Sequence, residues 1–125
     1  MGQMTAAQQA GRTAEARALG LLVRAGLELI ERNWTCPSGE LDLIMRDGAT
    51  LVFVEVRQRR HGSHGQAADS IDKRKQMRII RAARHYLQTL APSLPPCRFD
   101  VVSIDGSATR GRLRWRRAAF DAGSH

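Results

Sequence analysis

A chain of 125 residues, 42% of them apolar, is long enough for one domain with a real core and too short for two. No run approaches the roughly 18 apolar residues of a membrane span, and the N-terminus lacks the basic-then-apolar order of a signal peptide, so a cytoplasmic location is expected. The formal net charge is +8 and is unevenly spread: residues 1–56 sum to −2, 57–85 to +7, and 106–125 to +4. An acidic centre flanked by basic surface suits a polyanion that must meet a metal ion.

Residues 6–25 predict a first helix, with Ala10, Ala14, Ala18, Leu21 and Leu22 at helical spacing and Gly26 as its stop. Residues 27–34 predict a strand, and Cys36-Pro37-Ser38-Gly39 a turn. Cys36 and Cys97 have neither disulfide-framework nor zinc spacing, and His61, His64 and His85 form no zinc ligand set.

Two strands follow, at about 40–46 and 50–58, joined through Asp47-Gly48. They put acids where apolar side chains belong: Asp42 within Leu41-Asp42-Leu43-Ile44, and Glu55 within the apolar run 51–56. That run predicts a strand covered on both faces. Burying an unpaired carboxylate is costly, so such an acid needs a partner, and a cation is a common one. A two-residue turn at positions 47 and 48 sets Asp42 opposite Phe53 and Glu40 opposite Glu55. Glu40, Asp42, Phe53, Glu55 and Arg57 then share a face, with Asp42 and Glu55 diagonal neighbours about 7–8 Å apart.

Residues 60–70 form a basic, polar loop, which serves either as a substrate clamp or as a plain connector. A helix spans 72–90, with Asp72 or Ser70 as N-cap. Met77, Ile80, Ala83, Leu87 and Leu90 make its apolar stripe, and Arg74, Arg78, Arg81 and His85 a basic one. Lys75 lies in line with Ile79, Ala82 and Tyr86, so it starts beside the buried face and either reaches the sheet or snorkels to solvent. Residues 98–104 predict another strand, parallel to 50–58 through the helical crossover. Arg110, Arg112, Arg114 and Arg116 then alternate with Gly111, Leu113 and Trp115 at strand period. This row reads as a phosphate-backbone contact or as a charged edge against aggregation. Arg59, Arg60, Arg74, Arg78 and Arg81 extend the candidate nucleic-acid surface. Residues 1–10 and 118–125 look loose, and Leu113, Trp115 and Phe120 either form an interface or close the core.

The order αβββαβ, with an acid on the second strand and Glu55-Val56-Arg57 on the third, resembles the restriction-endonuclease-like superfamily, whose signature is PD-(D/E)xK. More closely, the chain resembles the YraN-like family of small bacterial proteins. The matching segments are Gly11–Ala18, Asn33-Trp34, Gly39–Ile44, Phe53–Arg60, Asp72–Gln76 and Arg98–Val102. The resemblance implies an α/β endonuclease-like fold with a mixed sheet flanked by helices, and a metal site at Asp42 and Glu55. Glu15 matches the family's helix acid and would complete the shell.

The signature's Lys is Arg57 here. Arg stays protonated, so it can hold a phosphate or stabilise charge but cannot act as a base, whereas Lys75 could supply what the missing Lys would. The expected activity is phosphodiester hydrolysis with Mg²⁺ or Mn²⁺ held by Glu15, Asp42 and Glu55, the Val56 carbonyl and water, with DNA the favoured substrate. A branched or structured DNA substrate fits this reading, and a homodimer would suit a junction resolvase. The alternatives are a non-catalytic nucleic-acid-binding module of the same fold, and a structural domain whose acids are engaged by internal bases.

Overall fold

The computed structural model describes residues 2–59 and 71–122. Helix α1 (Ala6–Arg24) precedes strands β1 (Glu28–Cys36), β2 (Gly39–Asp47) and β3 (Thr50–Arg59). Helix α2 (Lys73–Gln88) then leads to β4 (Cys97–Asp105) and β5 (Arg112–Phe120). The five strands form one mixed sheet in sequence order, with β3 and β4 parallel and the other neighbours antiparallel. The parallel pair follows from the crossover through α2, as expected.

The two helices cover opposite faces. On one, Ile79, Ile80 and Tyr86 of α2 pack with Ile44, Phe53, Phe99 and Val101. On the other, Ala18 and Leu22 of α1 pack with Leu43, Met45, Val52, Val54 and Val102. Strand β3 is therefore buried on both sides, which is why its sequence runs apolar without alternation. Each such aliphatic or aromatic side chain contributes about 1.5–3 kcal/mol on burial.

The hairpin register differs from the sequence expectation. Asp47 pairs with Thr50 and Ile44 with Phe53, so the two-residue loop is Gly48-Ala49, not Asp47-Gly48. Gly48 has φ 60°, the left-handed geometry that a tight hairpin needs at its first loop position. Asp47 is instead held in the strand by an ion pair of 2.8 Å with Arg98. Asp42 consequently does not face Phe53, nor Glu40 face Glu55; the same register extended one step sets Asp42 opposite Glu55. The shift displaces every pair by an even number, so Asp42, Phe53 and Glu55 stay on the face that was expected.

The ends are also more ordered than expected. Thr5 and Gln8 form a reciprocal capping box, which starts α1 at Ala6. Strand β5 reaches Phe120, whose ring stacks on Phe99 at 5.0 Å. Leu113 and Trp115 pack against the α1-side core and Phe120 against the α2-side core, so all three close the interior.

Candidate metal centre

The site is built where β2 and β3 part. Their ladder ends at Leu43–Val54, while β2 continues beside β1 and β3 beside β4. At the fork the Asp42 carboxylate takes the place of a backbone acceptor: the Val56 N–H donates to its Oδ2 at 2.9 Å. Leu41 packs in the α2-side core but Leu43 in the α1-side core, so β2 rolls over at Asp42. The neighbouring strand yields at the same point. Asn33, bracketed by the pairs Arg32–Leu43 and Trp34–Leu41, has φ 50°. Asn tolerates that region better than most residues.

Four acids converge on this fork. Glu15 of α1, Glu40 and Asp42 each present a carboxylate oxygen within 4.8 Å of the others. Asn33 Nδ2 donates to Glu15 at 2.9 Å and to Glu40 at 3.5 Å, bridging helix and strand. Glu55 is buried, with its Oε2 3.0 Å from Lys75 Nζ. Asp42 has its pKa pushed up from 3.8 to about 8, first by burial and then by the nearby Glu55 carboxylate; the Val56 N–H pulls the other way. A site that holds a proton so firmly is one where a divalent cation would relieve the same crowding of negative charge.

Glu55 and Lys75 form a wall between two open depressions of about 260 and 280 Å³. The first is completed by Arg57, Gln58, Ile71 and Asp72, the second by Glu40, Asp42, Arg78 and their neighbours. Lys75 does reach the sheet, as its place in line with Ile79, Ala82 and Tyr86 allows. The N-cap is Asp72, whose side chain accepts from the Lys75 N–H at 2.8 Å and so fixes the turn that carries this lysine.

Of the residues expected to act together, Glu15 and Asp42 meet in one cluster and Asp42, Glu55 and Lys75 in one depression. Arg57 stands on the far side of the Glu55–Lys75 wall. Glu40 joins Glu15 and Asp42 through the roll of β2, a role that sequence reasoning missed, since strict alternation would leave it on the Asp42 face away from α1. Asn33 was legible only as part of a matched segment. Arg74, Arg78 and Arg81 are exposed on α2, and Arg112, Arg114 and Arg116 on β5. Arg59, also expected on that surface, is only 5% exposed. Arg60, His61, His64 and Ser70 lie outside the described residues.

This is an α/β protein whose mixed five-stranded sheet, flanked by two helices, is consistent with a restriction-endonuclease-like core. Residues 14–104 match the uncharacterised protein family UPF0102, the YraN-like family that the sequence resembles, and the chain belongs to it. It is 52% identical over 122 residues to a UPF0102 protein of Pseudomonas syringae pv. syringae, covering 96% of this chain and 99% of that one. Similar relatives occur in Stutzerimonas stutzeri (52% over 120 residues; 95% and 100%) and Methylibium petroleiphilum (52% over 126 residues; 95% and 99%). No helix among the described residues is long and apolar enough to cross a membrane.

Proposed function

We propose that this chain is a metal-dependent nuclease that hydrolyses phosphodiester bonds, with DNA, including branched or structured DNA, as its substrate. The observation that carries the reading is the fork itself: two carboxylates, Asp42 and Glu55, meet where the strands part, and a lysine stands 3.0 Å from the second. Glu15 and Glu40 bring further hard oxygen donors to Asp42, a set suited to Mg²⁺ or Mn²⁺. Held there, such an ion would activate a water and offset charge developing on the phosphate. Lys75, with about half its side chain exposed, is placed to neutralise charge on a phosphate entering beside Glu55. Arg57, across the wall, can hold a second phosphate oxygen but stays protonated, so any proton taken up during reaction goes elsewhere.

The second reading is a nucleic-acid-binding module that does not cleave, and Arg57 in the usual Lys position favours it. A cleavage assay decides between them: junction, flap, single-stranded and duplex DNA with Mg²⁺ or Mn²⁺, beside identically purified Asp42→Ala and Glu55→Ala proteins. The nuclease reading expects cleavage in the parent and none in either variant. Binding without cleavage, unchanged by both substitutions, would leave the module.

A further inference from the structure

The acids of the fork are not equally constrained by the elements that carry them. Glu40 and Asp42 come from one strand, β2, and Asp42 is anchored by the Val56 N–H at 2.9 Å. Glu55 is buried in β3, with Lys75 at 3.0 Å. Glu15 comes from another layer, on α1, and a glutamate loses much rotamer freedom when its carboxylate is fixed. One of its oxygens is nonetheless brought within 4.8 Å of oxygens of Glu40 and Asp42, where like charge disfavours it.

Asn33 opposes both effects. Strand β1 pairs Arg32 with Leu43 and Trp34 with Leu41, which sets Asn33 opposite Asp42. Trp34 packs against the α2-side core, whereas the Asn33 carboxamide reaches α1, where its Nδ2 donates to Glu15 Oε1 at 2.9 Å. Its contact with Glu40 is longer, 3.5 Å, so Glu15 is the carboxylate it holds. Within β1 only Asn33 has a positive φ, 50°. Regular strands contain no such residue, and backbone departures of this kind cluster at binding and catalytic sites. The side-chain type fits the task as well. A carboxamide donates hydrogen bonds and carries no charge, so it occupies one lone-pair site of the Glu15 carboxylate and leaves the others, with the full negative charge, for an ion. Arg or Lys at this position would hold Glu15 as firmly but would put a cation where the ion belongs, and Asp would repel it.

We infer that Asn33 is a positioning residue of the metal centre: its carboxamide draws Glu15 across from α1 into the ligand set, and it acts on the metal only through Glu15. The inference deepens the proposed function and rests on it for the presence of the metal alone. Groups that orient a metal's ligands typically change its affinity by about 10–100-fold when removed. Asn33 therefore belongs to the machinery of the site although it need not touch ion or substrate.

The test is a double-mutant cycle on Mn²⁺ affinity, read from the loss of the free ion's paramagnetic resonance signal in the full chain without any substrate. Asn33→Gly suits the left-handed backbone and removes only the carboxamide, so the metal-free melting temperature should stay close to the parent's. Its Mn²⁺ affinity should fall about 10-fold or more. Glu15→Ala, on a helix that accepts alanine, should lose at least as much. In the Glu15→Ala background, adding Asn33→Gly should cost less than about twofold, because the two residues act as one unit. A purely structural role would weaken binding equally in both backgrounds. An Asn33→Gly protein that binds Mn²⁺ like the parent, a Glu15→Ala protein that does so, or an Asn33→Gly loss that persists undiminished without Glu15 would overturn the inference and leave the metal centre standing. A parent chain that binds no Mn²⁺ would sink the metal centre and this inference with it.

Discussion

Asp42 is the residue on which charge, metal and stability meet. Its carboxyl titrates at about 8 in the folded chain against 3.8 ordinarily, because burial and the Glu55 carboxylate disfavour its charge. An acid whose folded pKa is raised keeps its proton in the folded state after the unfolded chain has lost it. Between pH 3.8 and about 8 unfolding therefore releases a proton, and metal-free stability falls as pH rises through that window. Asp42→Asn removes the penalty: its metal-free melting temperature should exceed the parent's at pH 8 and the gap should shrink towards pH 5. In the parent, Mn²⁺ should raise the melting temperature more at pH 8 than at pH 6, because the ion competes with a proton. Thermal unfolding with and without Mn²⁺ checks both, and an Asp42→Asn protein that still gains as much from Mn²⁺ would remove Asp42 from the ligand set. Lys75 gives a separate prediction. Lys75→Met should lower the cleavage rate by about 100-fold, with Lys75→Arg losing less, since what the site needs beside Glu55 is positive charge. Single-turnover kinetics at saturating substrate would separate this from weaker binding.

At the scale of elements, α1 is tied to the far end of the sheet as well as to its face. Arg17, two residues beyond Glu15, donates to the carbonyls of Ala108 and Gly111, both at 2.9 Å. The helix that carries Glu15 is thus fixed against the β4–β5 turn. That turn requires glycine at position 111, where an added Cβ would lie 2.5 Å from the Ser107 oxygen and 2.7 Å from that of Asp105. Both are backbone atoms, so the turn itself must shift. Gly111→Ala should cost about 1–3 kcal/mol in urea unfolding, and weaken Mn²⁺ binding through the displaced α1. The order of elements was legible because helix and strand periods differ and the apolar runs are long. Where elements end was less so. Thr5 and Gln8 cap α1 by a reciprocal pair that the chain's polar start disguised, and the end of β5 is held by the Phe99–Phe120 pair, whose rings stack, and by Asp100 accepting from the Ala118 N–H. The hairpin register was missed for a local reason: Asp47-Gly48 reads as the loop until Arg98 claims Asp47 for the strand. Asp42, Glu55 and Lys75 were legible from acids in apolar runs and a lysine in a buried line. Glu40's place beside Glu15 was not, because it depends on the roll of β2 at the fork.

Across the whole molecule, Asp100 ties together strands far apart in the sequence. It is fully buried and accepts from Arg98 Nε at 3.1 Å, Trp115 Nε1 at 3.0 Å and the Ala118 N–H at 3.0 Å. Arg98 continues the network to Asp47, so one carboxylate joins β2, β4 and β5 and supports the left-handed Ala118 at φ 48°. Asp100→Asn keeps the size but loses the charge that balances Arg98, and should cost about 3 kcal/mol. At a temperature where the variant stays folded its Mn²⁺ affinity should match the parent's, which titration calorimetry can check. Alternation of side chains along β2 and β3 limits how the chain can vary in length between the two carboxylates. Between Asp42 and Glu55, extra residues are harmless within the Gly48-Ala49 loop. A single insertion inside either strand would turn one carboxylate to the opposite face and leave the other behind. Length changes within those strands can therefore preserve the centre only when they come in twos.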